Sequence, residues 1–199
     1  MGRKSIKDQR QQEIIKTFYK VAKKIGYEHT SIAKVAKEMD VNPSLIIHYF
    51  ASKEDLKYAL IDYILERYLL IYQLEGIKKK GIERLKVVID RLFSKKWNAL
   101  FDDGLFYGFY AESFREKKIR RKYKAILDSL RSGLTYVLDD LQQTQLLKIT
   151  DTSRTADLVF ILLDGAYFYL SLVEDKKLFE QKLLFYKKEA YAILGLEGV

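Results

Sequence analysis

The chain of 199 residues has no cysteine, one proline, 10 glycines and two histidines. Without cysteine there is no disulfide to staple the fold and no thiolate to act as nucleophile or soft metal ligand. A metal centre would rest on two histidines and carboxylates, and no ligand cluster has the required spacing, so neither metal nor cofactor is expected. The shortage of proline and glycine removes the punctuation that sheets need, and an all-α fold of long helices with short connections is expected. No apolar run approaches the roughly 18 residues of a membrane span. The segment Met1 to Gln12 is basic and polar, without the apolar centre of a secretory leader, so no membrane partner is expected and a reducing, cytoplasmic setting fits.

What is present is apolar and basic. Hydrophobic residues make up 48% of the chain, enough for a buried core, and the formal net charge is +9. Such a charge favours a polyanionic partner by raising the local phosphate concentration, but ribosomal, membrane-surface and nucleic-acid roles share it. No repeat of solenoid length and no low-complexity segment occurs beyond short basic runs such as Lys78 to Lys80.

Helical periodicity organises the chain. Ile14, Ile15, Phe18, Val21, Ala22 and Ile25 mark one face of a first helix over 6–25, with Gly26 as its C-cap. A second helix is expected after Thr30 and Ser31, whose hydroxyls can accept from exposed amides, with Ile32, Val35, Ala36 and Met39 facing inward. After the Met39-Asp40-Val41 turn, Asn42 caps a third helix and Pro43, the single proline, occupies its first turn, where a missing N–H is harmless. Ser52 and Asp55 form a capping box for a fourth helix, which runs to about Glu75 and links two regions without a flexible linker. Further helices are expected over 78–95, 98–115, 118–143, 152–173 and 177–194.

Two short helices joined by a three-residue turn have the form of a helix-turn-helix, whose second helix enters the major groove of DNA. Ile32, Val35, Ala36, Val41, Leu45 and Ile46 would bind the pair together, leaving Asn42, Ser44, His48 and Tyr49 outside. Asparagine can pair with adenine edges. Thr30, Ser31, Tyr49 and Lys53 are candidates for phosphate, and Arg3, Lys4 and Lys7 for a basic arm. Tyr49 and Phe50 also have a packing role as closure of the head.

The stretch from Gly26 through Ala36, continuing through Val41 to Phe50-Ala51-Ser52-Lys53-Glu54-Asp55-Leu56, resembles the signature of TetR-type repressors. The resemblance implies a DNA-binding head over 1–52, a ligand-binding and dimerisation body over 53–199, and a homodimer formed through the last two helices. By position it implies DNA contacts at Ser31, Asn42, Pro43, Leu45, Ile47, Tyr49 and Lys53. Leu45 stands where the family usually has a hydroxyl residue and Ile47 where it usually has tyrosine, so contact with thymine methyl groups, or compensation by His48 and Tyr49, is implied.

The body offers a candidate pocket for a small, largely apolar or aromatic effector. Trp97, Phe101, Phe106, Tyr107, Tyr110, Ser113 and Phe114 form one aromatic cluster, and Phe160, Asp164, Tyr167 and Phe168 a second, although core packing explains aromatics equally well. Asp164 could accept a ligand, meet a dimer partner or face solvent. Leu158, Ile161, Leu162, Tyr169, Leu172, Leu183, Leu184, Tyr186, Ala190 and Leu194 cover too many faces for one internal contact, so a partner helix pair is expected. The function these readings favour is a homodimeric repressor that binds a palindromic operator in double-stranded DNA and is released by its effector. A carrier or enzyme using the aromatic body is the alternative from another class, and catalysis is not expected because no nucleophile, metal cluster or phosphate loop accompanies it. A third reading, a membrane or acidic-partner surface along Arg115 to Lys124, competes with a solvated helix junction.

Overall fold

The computed structural model describes residues 6–69, 80–95 and 102–196, and among these the chain forms nine helices and no strand. Helix α1 spans Ile6–Ile25, α2 Ile32–Met39, α3 Pro43–Tyr49 and α4 Lys53–Leu69. They are followed by α5 (Gly81–Leu92), α6 (Asp103–Ser113), α7 (Lys117–Gln143), α8 (Thr152–Leu170) and α9 (Lys176–Ile193).

Local chemistry sets the boundaries of the head. Gly26 ends α1 with φ at +84°, a conformation L side chains resist, and its N–H bonds the Ala22 carbonyl at 2.8 Å. Ser31 alone caps α2, its hydroxyl accepting from the Lys34 N–H. Asp40 closes α2 in the left-handed region at φ 54°, which Asp tolerates better than most residues, and Val41 N–H returns to the Ala36 carbonyl. Asn42 Oδ1 accepts from the Ser44 N–H at 2.9 Å, and Pro43 opens α3 as expected. Ser52 Oγ accepts from Asp55 N–H and donates to the Asp55 carboxylate, completing the box that starts α4.

Within the stretch expected to be helical over 98–115, Asp102 starts a helix: its Oδ1 accepts from the Leu105 N–H at 2.9 Å and caps α6. Residues 98–101 of the helix expected over 98–115, 70–75 at the end of the fourth and 78–79 at the start of the one expected over 78–95 lie outside the described residues.

The described residues fall into two compact units, one drawn from 1–66 and 101–123, the other from 67–100 and 124–199, so α7 passes from the first to the second. The first has Ile14, Phe18, Val35, Ile46, Leu56, Leu60, Phe109 and Ile119 in its core. The second buries Leu85, Ile89, Leu92, Leu134, Leu138, Phe160, Leu163 and Leu170. Within it Tyr167 donates its hydroxyl to the Leu92 carbonyl at 2.7 Å, pinning α8 to the end of α5.

Candidate nucleic-acid interface

The inner face of the helix-turn-helix is apolar and closed: Val35, Ala36 and Ile46 are buried, and Phe50 seals the end of α3. Its outer face carries Asn42, Pro43, Ser44, Ile47 and His48, all exposed, with Leu45 and Tyr49 half-buried beside them. This alternation follows from the short length of α3, whose one inward row is filled by Ile46. Asn42 has two tasks, because Oδ1 accepts from both the amide and the hydroxyl of Ser44 and only its amide nitrogen is left for a base edge. His48 and Tyr49 meet edge to face at 5.1 Å, which fixes both rings on the outer side.

Two expected phosphate contacts are redirected. Thr30 is 1% exposed and donates its hydroxyl to the Gly26 carbonyl at 2.8 Å, so it braces the α1–α2 turn and neither caps α2 nor faces a phosphate. A hydroxyl beside a turn has an unsatisfied backbone carbonyl within reach, and that local bond wins. Lys53 is half-buried, with Nζ 3.4 Å from the Tyr27 and Glu28 carbonyls and 4.7 Å from the centre of the Tyr27 ring. It ties the start of α4 to the same turn. Arg3 and Lys4 of the expected arm lie outside the described residues, while Lys7 is exposed on α1.

Sequence reading missed the charged cluster behind the head. The Lys57 side chain is 7% exposed, and its Nζ lies 2.9 Å from Glu54, 3.2 Å from Glu112 and 2.9 Å from Glu116. Burial opposes its charge, but the bonds to the three carboxylates outweigh this and push its pKa above the ordinary lysine value. Tyr58 donates its hydroxyl to Glu116, which with Lys57 holds that carboxyl below the usual range. A signal was available: Lys57 shares a helical face with the buried Ile61 and Ile64, and a lysine on an apolar row needs a partner. The identity of the partners was not legible, because Glu112 and Glu116 are separated from it by 55 and 59 residues.

The expected effector residues are divided between the two units. Phe106, Tyr107, Tyr110, Ser113 and Phe114 belong to the first unit, and Phe160, Asp164, Tyr167 and Phe168 to the second. Trp97 and Phe101 lie outside the described residues. On α6, Phe106 packs on Tyr107 and Tyr123, and Tyr110 on Phe114, while Ser113 is buried. Phe160 is a core residue, Tyr167 is the α8–α5 pin, and Phe168 is 61% exposed. Asp164 bonds Arg131 at 3.1 Å, and the same guanidinium reaches Asp157 at 3.4 Å, an intramolecular role that sequence reading did not consider.

The final helices divide differently from expectation. Leu183, Ala190 and Leu194 are buried within the second unit, and Leu162 and Tyr186 are half-buried. Leu158, Ile161, Tyr169, Leu172 and Leu184 remain exposed, joined by Phe168 and Phe185. Ile161 at 63% and Leu172 at 74% are far more accessible than aliphatic side chains of an internal contact.

Two short helices with a closed apolar seam and a polar outer row define a helix-turn-helix DNA-binding protein. Family models agree: "Bacterial regulatory proteins, tetR family" matches residues 14–60, and "Tetracyclin repressor-like, C-terminal domain" matches 80–196. The chain belongs to the TetR family and is a DNA-binding transcriptional regulator. It is similar to the HTH-type transcriptional regulator BetI of Brucella anthropi, with 25% identity over 169 residues, covering 83% of this chain and 84% of the relative. A TetR transcription regulator from Haloarcula marismortui has the same fold, with a TM-score of 0.80 at 18% identity over 94% of this chain and 97% of the other. A TetR-family regulator from Cytophaga hutchinsonii aligns over 100% of both chains with a TM-score of 0.78 at 17% identity. Among the described residues no helix is long and apolar enough to cross a membrane.

Proposed function

We propose that this regulator is a homodimeric repressor that binds a palindromic operator through α3 and leaves it when a small, largely apolar effector binds the body. The observation that carries the reading is the uncovered apolar surface of α8, α9 and the turn between them, from Leu158 and Ile161 to Leu172 and Leu184, in a chain that also presents a reading helix. One α3 of seven residues reads few base pairs, whereas two related by a twofold axis read a symmetric site. Apolar surface of this kind is what a second copy would cover.

The division of labour on DNA follows the geometry. Asn42, Ser44 and His48 are the candidates for base edges, and Ile47 and Leu45 for thymine methyls. Ser31 and Tyr49 are the candidates for phosphates, with Pro43 fixing the entry of α3. Lys53 adds positive charge near the turn while holding it in place. Head and body are assigned to 1–52 and 53–199 as functional regions. The exposed aromatics Tyr110 on α6 and Phe114 just after it supply apolar surface for an effector. The test is selection of a binding site from random DNA with the purified protein, followed by titration against salt. A palindromic consensus bound by a dimer is expected, with log K falling linearly with log salt. Equal affinity for the selected site and random DNA would refute the operator, and a single unsymmetric half-site would refute the dimer.

A further inference from the structure

Between the end of α1 with its following turn and one face of α6 lies a cleft of about 270 Å³. It belongs wholly to the first unit, and none of the described residues expected to line an effector pocket lines it. Tyr27, Leu105 and Phe109 give it apolar walls, and Tyr27 and Phe109 meet edge to face at 5.0 Å. Glu28, Asp102 and Glu112 also line it, against Lys23, three carboxylates to one ammonium in a chain whose net charge is +9.

A second observation is independent of charge. Gly104 and Gly108 stand one helical turn apart on α6, and both line the cleft. Among the described residues, a Cβ at Gly108 would meet no heavy atom beyond its own helix backbone within 4 Å, so no close packing among them accounts for the glycine. Glycine inside a helix is less favourable than alanine. The missing side chain leaves open volume beside an aromatic pair, where a bound molecule can approach the helix backbone.

We propose that this cleft is a binding site for a small organic cation carrying an aromatic ring. The ring lies among Tyr27, Leu105 and Phe109, against the bare surface of Gly108. Asp102 uses Oδ1 to cap α6 and Glu112 is shared with Lys57, so Glu28, which makes none of the described ion pairs, is the carboxylate that the cation meets. The same turn is braced by Thr30 and held by Lys53 at the entry to α2, so occupancy touches the segment that leads into the reading head.

The test uses the intact protein without DNA, so its outcome is separate from that of the repressor reading. Benzamidinium is the probe and benzoate its anionic counterpart of similar shape, both followed by saturation-transfer NMR. Benzamidinium is expected to bind and benzoate not to. Gly108→Leu fills the cleft while raising helix propensity, and is expected to weaken benzamidinium binding at least about tenfold. Glu28→Gln, at an exposed position, is expected to weaken it several-fold and decides the matter should Gly108→Leu lose its helical circular dichroism. Absence of benzamidinium binding, equal binding of benzoate, or affinity unchanged in both variants overturns the proposal.

Discussion

Replacing Lys57 with methionine keeps the length and apolar stem of the side chain but removes the one cation that three carboxylates share. In the folded protein Nζ lies within 3.2 Å of Glu54, Glu112 and Glu116, which are 54%, 35% and 29% exposed in their side chains. Removing one partner of a fully buried ion pair costs about 3–5 kcal/mol, because the remaining charge is left without compensation. Here the carboxylates reach water, which screens their mutual repulsion, and the loss is expected to be about 2–3 kcal/mol. That is a change of roughly 30- to 150-fold in the folding equilibrium, and it should appear as a lower urea midpoint at unchanged m value. Glu116→Gln added to Lys57→Met should recover part of the loss, since it removes one of the repelling charges, whereas independent sites would add. Far-ultraviolet circular dichroism during urea titration is the assay. A loss below about 1 kcal/mol, or strict additivity in the double variant, would refute a cooperative charge cluster at this position.

Three further outcomes are expected. Asn42→Ala should relax sequence preference and, through the lost cap on α3, lower stability by about 1 kcal/mol; Asn42→Ser, which can cap, should keep the melting temperature while still changing preference in a binding-site selection. Ile161→Glu combined with Phe168→Glu should shift the sedimenting species from dimer to monomer with helicity retained, and a dimer that persists would place the partner elsewhere. Glu116 has a folded pKa below its ordinary value of 4.5, so its contribution is complete above that value and is lost as the pH falls through the lower folded pKa. Wild-type stability should therefore decline more steeply than that of Glu116→Gln below about pH 4.5, as measured by urea midpoints across the acid range.

The sequence by itself determined the helices of the reading head and their caps, because those depend on near neighbours. Gly26, Ser31, Asn42, Pro43 and the Ser52-Asp55 box each act within four residues, so local spacing carried the information, and the signature around them identified the reading head. Tertiary structure alone decided how polar side chains are spent. Lys53 acquired carbonyl partners in a turn more than 20 residues earlier, whereas Thr30 turned inward through a local bond to the Gly26 carbonyl four residues back. Lys57, Glu112 and Glu116 met only after α6 and α7 had packed against α4, and Asp164 found Arg131 across 33 residues. Periodicity shows that a helix has an apolar side, but not how much of that side its own chain will cover. Leu183 and Ala190 vanished into the second unit, while Ile161 and Leu172 remained outside. That difference is a matter of which surfaces of the chain meet, and separates side chains packed in the core from side chains left exposed.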